Sequence, residues 1–178
     1  MCGIWALLGS SLPEVEHVEG YVKKLSSRGP ESMKVMTMKY GYMGFTRLAI
    51  NGCNPQGMQP FSIPGLTWMC NGEIYNAKQL SEQYNIPMPS GSDCEVLGPL
   101  YKIFRDQQNL PGFFRALDGV FAIVIYDEES NQLVFGRDPY GVRPMYGAWS
   151  VTAPADVQLQ PDLVASVKDF AALTIRLV

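Results

Sequence analysis

The stretch Met1-Cys2-Gly3-Ile4-Trp5-Ala6-Leu7-Leu8-Gly9 decides how the rest of the chain is read. Its apolar run, Ile4 to Leu8, lacks a preceding basic region and is too short for a signal peptide with its cleavage site. A run of this kind reads instead as a buried strand. Outward from it, Ser11 with Glu14 three residues later makes a capping box, and Val15, Val18, Val22 and Leu25 then recur at helical spacing. That helix is expected to end before Arg28-Gly29-Pro30. Residues 33–50 read as two strands joined near Gly41, and Leu66 to Cys70 as another that runs into a turn at Asn71-Gly72. A short helix is expected from Lys78 to Tyr84. Ser92 and Glu95 make a second capping box ahead of Val96, Leu97, Leu100, Tyr101 and Phe104, with Pro99 inside, where it should kink or weaken the helix. Val120 to Tyr126 and Leu133 to Gly136 form a hairpin about a turn at residues 128–131. Thr152 to Asp162 reads as a loop, and the residues beyond as a last strand and a short helical tail. Many short strands with few helices are the rhythm of a layered α+β domain.

Composition narrows the function classes. The chain has 178 residues, 47% of them hydrophobic, enough for one domain with a core, and residues 1–178 are expected to form that single unit. A net charge of -3 with scattered Lys and Arg gives no footprint for nucleic acid or an anionic membrane. Nothing approaches the ~18 apolar residues of a membrane span, so a cytoplasmic protein acting on a small molecule or a protein partner is expected. The four cysteines, Cys2, Cys53, Cys70 and Cys94, include no Cys-x-x-Cys pair, which argues against a zinc site or a disulfide framework.

The single histidine, His17, falls among Glu14, Glu16 and Glu19 beside the apolar stripe of the first helix, so a Cys-His or Ser-His pair is not expected. A hydrolase without imidazole needs another base, and a free α-amino group, with a reference pKa of roughly 7.7 to 8.0, is a natural one. Cys2 supplies thiol and amine together once Met1 is removed, the arrangement of an N-terminal nucleophile. Taken alone, Cys2 reads more simply as a small buried residue opening a strand, and Asn71-Gly72 as a plain turn signal.

Four segments in order, CGIWALLGS from Cys2, RGP from Arg28, NGEIYN from Asn71 and GRDPYGVRP from Gly136, resemble the class II glutamine amidotransferases, and within them the glutaminase domain of glutamine-hydrolysing asparagine synthetase. Gly44-Phe45-Thr46-Arg47-Leu48-Ala49-Ile50, Gly57-Met58-Gln59-Pro60 and Ser92-Asp93-Cys94-Glu95 extend the resemblance. It implies a four-layer α/β/β/α sandwich of the N-terminal nucleophile hydrolases, with two mostly antiparallel sheets. It implies L-glutamine as substrate and hydrolysis to glutamate and ammonia through a Cys2 thioester, with no cofactor in this domain. Asn71 and Gly72 would supply an oxyanion hole. Arg47 would grip the substrate α-carboxylate, Glu73 and Asp93 its α-ammonium, and Leu48, Ala49, Ile50 and Asn51 would complete the binding surface. Arg28, Arg137-Asp138 and Arg143-Pro144 would buttress the site, and glycines 3, 29, 44, 72 and 141 mark close approaches or positive φ.

The resemblance is incomplete at points. Ser27 and Thr46 stand where the pattern has histidines, and Ser166-Val167-Lys168-Asp169 replaces its SExKAL-like end. No Ser-Gly-Gly-x-Asp-Ser phosphate-binding signature is present, so the ATP-using synthetase domain is expected to be absent and any synthetase to be a separate partner. Two other readings stand beside this one: a glutaminase serving another acceptor, such as phosphoribosylamine, glucosamine phosphate or glutamate synthesis, and a non-catalytic amino-acid-binding or regulatory subunit.

Overall fold

The computed structural model describes residues 2–9, 12–130, 132–149, 164–166 and 172–176. Among these residues ten strands form two sheets, antiparallel at every described pairing. The first is ordered β2 (Ser32–Met38), β3 (Gly41–Arg47), β1 (Gly3–Gly9), β10 (Ala172–Arg176), β8 (Tyr146–Trp149). The second is ordered β4 (Phe61–Ile63), β5 (Leu66–Ile74), β6 (Gly119–Asp127), β7 (Gln132–Arg137), β9 (Val164–Ser166).

Strand alternation divides the apolar side chains between three cores. Ile4, Ala6, Leu8, Met43 and Phe45 of the first sheet meet Met69, Ala122, Val124, Tyr126, Leu133 and Phe135 of the second, so the sheets pack face to face. Trp5 and Tyr42 point the other way and are covered by Val18, Val22 and Leu25 from α1 (Val15–Lys23) and the turn after it. On the outer face of the second sheet, Trp68, Cys70, Ile74, Phe121, Ile123 and Ile125 pack beneath α2 (Ala77–Tyr84), α3 (Leu97–Asp106) and α4 (Leu110–Ala116). The result is the four-layer α/β/β/α sandwich. One close approach fixes its outer layer: a Cβ at Gly44 would run into the Val22 side chain, so glycine lets α1 lie directly on β3.

The expected β1, the β2–β3 pair and the β6–β7 hairpin are present. Other expectations need correction. Asn71 and Gly72 do not turn; they continue β5, paired with Ala122 and Phe121 of β6, because a nine-residue ladder outweighs a dipeptide turn preference. The Ser92–Glu95 capping box does not form. Glu95 instead accepts from the Ser90 N–H at 3.0 Å and the Ser90 hydroxyl at 2.5 Å, and Ser92 makes no side-chain cap bond to the 3-10 turn Asp93–Val96. Pro99 produces no kink, since α3 begins at Leu97 and places it in the first turn, where no backbone N–H is needed. Of the first capping box, Ser11 lies outside the described residues, and the N-cap of α1 is Glu14, whose side chain makes no cap bond. The expected Thr152–Asp162 loop also lies outside the described residues; beyond it, where a last strand and a short helical tail were expected, the described residues form two strands, β9 and β10. β4, β8 and α4 were not expected; α4 is started by Asn109, whose side chain accepts from the Gly112 N–H at 3.0 Å, with Pro111 in the first turn.

One buried polar cluster joins α3 to the β6–β7 hairpin. Asp127, fully buried, accepts from Arg105 Nη1 at 2.8 Å, the Tyr101 hydroxyl at 3.0 Å and the Ser130 N–H at 3.1 Å. Burial opposes ionisation of this carboxylate, but the Arg105 and Ser130 bonds outweigh it and hold it below the ordinary range. Such a group stabilises the fold above its unfolded pKa, and that stability is lost as pH falls through the lower folded value. Asp127→Ala should cost about 3 kcal/mol in urea denaturation at neutral pH, because it leaves the buried Tyr101 hydroxyl and the Ser130 N–H without their acceptor and removes one of the three carboxylates paired with Arg105. The gap between parent and variant should narrow as pH falls below about 4; a gap that does not depend on pH would show the loss to be packing alone.

Candidate active site

The first sheet brings the start of β1 beside the end of β3, with Gly3 opposite Thr46. Cys2 therefore lies next to Arg47 and the loop that follows it. Its Sγ is 3.4 Å from both the N–H and the carbonyl of Leu48. Arg28 Nε donates to the Cys2 carbonyl at 3.1 Å, tying the residue down from the turn after α1. Thr46, one of the departures from the histidine pattern, is buried and donates its hydroxyl to the Leu25 carbonyl at 3.0 Å. Burial pushes the Cys2 thiol up, partly offset by its Leu48 bond and the Arg47 charge. It is therefore a protonated thiol at neutral pH and needs a base to become a nucleophile.

The second sheet contributes the end of β5. β4 covers β5 only as far as Trp68. Beyond it, the Gln59 side chain takes over the pairing, accepting from the Cys70 N–H at 2.7 Å and donating to the Cys70 carbonyl at 3.2 Å. Two residues past Gly72, the Ile74 N–H is held by Asp93 Oδ2 at 2.6 Å. Strand alternation turns the N–H groups of residues 70, 72 and 74 to this same edge, so the Gly72 N–H is presented between the other two. No β-turn is needed to present it. Glycine is required there because a Cβ would strike the Val120 carbonyl of β6 and approach Phe121 Cα to 2.6 Å.

Asn71 points to the opposite face of β5 from Cys70, toward the inter-sheet layer against which Cys2 also packs. Its side chain is 1% exposed, and its Nδ2 has no hydrogen-bond partner among the described residues. A buried amide donor left unsatisfied costs ~1 to 3 kcal/mol, an expense that native structures usually avoid.

One cavity collects these groups. Cys2, Arg47, Leu48, Ala49, Ile50, Asn51, Asn71, Gly72, Glu73 and Asp93, every residue expected from the sequence, line a hollow of about 550 Å³ including its open mouth. The lining also holds Phe45, Gly57, Gln59, Ser92 and Cys94, which carried the resemblance without an assigned role, Arg143, which was expected to buttress the site, and Cys70, which was not expected there. Gln59 could have been noticed as a polar residue between the apolar Met58 and Phe61, whereas Arg143 comes from a loop folded around Asp138. That carboxylate accepts from the N–H groups of Tyr140, Val142 and Arg143 at 3.1, 3.0 and 3.1 Å, and Gly141 supplies the positive φ of 66°. Cys94 is a second thiol on the wall, but its bond with Cys70 and its burial push it well up, which keeps it protonated.

At the mouth, Arg47 Nη2 donates to the carbonyls of Gly52 and Asn54 at 2.6 and 2.9 Å. The Asn51 side-chain amide donates to Glu73 Oε1 at 3.3 Å and Asp93 Oδ1 at 3.2 Å. A guanidinium and two carboxylates on one wall match the charge pattern of a zwitterionic amino acid. His17 is exposed on α1 and takes no part in the cavity.

Comparison with known proteins agrees with this architecture. A probable glutamine-hydrolysing asparagine synthetase of Acanthamoeba polyphaga mimivirus is 39% identical over 153 residues, covering 82% of this chain and 27% of its own length. The glutamine-hydrolysing asparagine synthetases of Mesocricetus auratus and Homo sapiens are each 37% identical over 158 residues, covering 83% of this chain and 26% of theirs. The chain thus spans about a quarter of the length of these relatives. Among solved structures, the glutamine phosphoribosylpyrophosphate amidotransferase of B. subtilis superposes with a TM-score of 0.69 at 20% identity, over 98% of this chain and 41% of its own, a likeness of fold. The family model of the glutamine amidotransferase domain matches residues 1–159, and the chain belongs to that family, in its class II.

Proposed function

We propose that this cavity hydrolyses L-glutamine to glutamate and ammonia through a thioester on Cys2, and that the ammonia is used to make asparagine in a reaction catalysed by a separate synthetase domain or subunit in the cytoplasm. The observation that carries the first part is the orphan Nδ2 of Asn71, buried in the same cavity as the Cys2 thiol and next to the strand edge that presents the Gly72 N–H. Two such donors suit an oxygen that gains charge when sulfur adds to the amide carbon. The second part is supported by the names of the three relatives reported above, which are glutamine-hydrolysing asparagine synthetases. Among the described residues no helix is long and apolar enough to cross a membrane.

In this mechanism Met1 is removed and the α-amine of Cys2 takes the thiol proton. Sulfur then bonds to the side-chain carbonyl carbon, and the negative oxygen rests on Asn71 and Gly72. The C–N bond breaks as the amine returns its proton to the departing ammonia. Water adds to the thioester, releasing glutamate and restoring the thiol. Arg47 binds the α-carboxylate, Glu73 and Asp93 bind the α-ammonium, and only the side-chain amide reaches sulfur. The domain's own residues supply each step without a cofactor; ATP would be used by the synthetase.

The test is glutamate release from glutamine by purified protein whose intact mass shows Met1 gone, with neither ATP nor aspartate present. Release is expected; its absence from correctly processed protein would overturn autonomous hydrolysis. In the same assay Arg47→Ala should raise KM about 100-fold, the loss of a charge-assisted pair worth on the order of 3 kcal/mol. Some fall in kcat should accompany it, because Arg47 also holds the Gly52 and Asn54 carbonyls that shape the mouth.

A further inference from the structure

The loop between Arg47 and Gly57 is anchored at both ends. The Ala49 N–H donates to Glu31 Oε1 at 3.0 Å, and Asn54 donates to the Ser90 carbonyl at 2.8 Å while accepting from the Gly57 N–H at 3.0 Å. Between these anchors Arg47 holds the Gly52 carbonyl, and Gly52 takes a φ of 59°. The exposed Asn51 side chain is tied to nothing on its own loop. Its hydrogen bonds run across the mouth, one to Glu73 and one to Asp93. Facing two carboxylates, only the amino end of the amide can donate, so its orientation is fixed by chemistry.

We infer that Asn51 is a displaceable plug: its neutral amide occupies the carboxylate pair that receives the substrate's α-ammonium, and glutamine must expel it to bind. This inference rests on the proposed function and deepens it. An amide offers two uncharged donors, whereas an ammonium offers three donors and a full positive charge, so the substrate wins the exchange. A ligand without an α-ammonium has nothing to trade for the two bonds it would break. Asn51 thereby sets a threshold that favours free α-amino acids over other primary amides. Leaving requires rotation of one exposed side chain while the anchored loop stays in place.

The expected sign is unusual for a residue at a binding site, since removing it should improve binding. With turnover blocked by Cys2→Ala in every protein, titration calorimetry should show L-glutamine binding about fivefold more tightly to Asn51→Ala, the gain from two solvent-exposed hydrogen bonds that no longer compete. Asn51→Asp should also bind more tightly than the parent, because a carboxylate cannot bridge Glu73 and Asp93 and adds to their negative field. Equal or weaker binding by either variant would overturn the plug, while glutamine binding by the parent would leave the proposed function standing. No glutamine binding by any of the proteins would overturn the reading of the site and the plug with it.

Discussion

Replacing Cys2 with alanine is expected to remove glutamate release altogether, by a factor of about 10⁴ or more. The size of the effect follows from the covalent route. Without sulfur no thioester can form, and direct attack of water on an unactivated amide must use only the binding groups and the oxyanion donors that remain. The other two thiols on the wall cannot substitute. Cys94 is buried and held protonated, with its sulfur turned toward Cys70 and Asp93, and Cys70 lies on the helix-side face of β5. Serine in place of Cys2 should be nearly as inactive, since the base that handles a thiol faces a much weaker acid in a hydroxyl. Because Arg28 holds the main chain through the carbonyl of residue 2, a bond that alanine keeps, the alanine variant should keep its fold and should bind glutamine by calorimetry. Turnover that persists in Cys2→Ala would sink the thioester mechanism. Protein that retains Met1 should resemble the variant, because the amine is then acylated and its proton-accepting role is lost.

Much of the sandwich could be read from local patterns. The apolar runs of β1 and β6, the Gly41 break between β2 and β3 and the valine stripe of α1 each state their partner face within about ten residues, the range over which periodicity is informative. What could not be read depended on neighbours far along the chain. β10 enters the first sheet between β1 and β8, a pairing that no local pattern encodes. Asn71-Gly72 carries a strong short turn signal, yet β6 supplies a full ladder of partners, and the glycine serves a close approach to Val120 instead. Glu95 was claimed by Ser90, two residues before the cap it was expected to complete, because a preceding loop brought a better donor pair.

The site had a similar division. The resemblance singled out Cys2, Arg47, Asn71, Glu73 and Asp93, and the fold brings all of them to one cavity. Their detailed contacts were beyond the sequence. Arg47 is already engaged with the carbonyls of its own loop, the carboxylates already hold Asn51, and Gln59 stands in for a missing strand at Cys70. The Arg47 and Gln59 contacts join a side chain to a backbone segment and those of Asn51 join side chains across the mouth, and in each case only the assembled sheets bring the partners together. The edge of β5 determines how the groups on that wall are presented.

Asn71→Ala should lower kcat by about 10² to 10³ with little change in KM, the effect of removing one donor that acts only when the carbonyl oxygen becomes charged. The same substitution should leave stability nearly untouched. Nδ2 of Asn71 has no hydrogen-bond partner among the described residues, so its removal breaks no bond of that nitrogen within the fold and costs only a small loss of packing. The melting temperature of Asn71→Ala should therefore be little changed while its kcat falls. A structural asparagine would behave otherwise: its loss would lower the melting temperature, and kcat would fall only as far as the folded fraction did. Asn71→Asp sharpens the distinction, because it keeps the size and replaces the donor with an anion directed at the developing oxyanion. It should be at least as slow as the alanine variant, and an aspartate variant that retains most of the parent's kcat would remove Asn71 from the oxyanion hole.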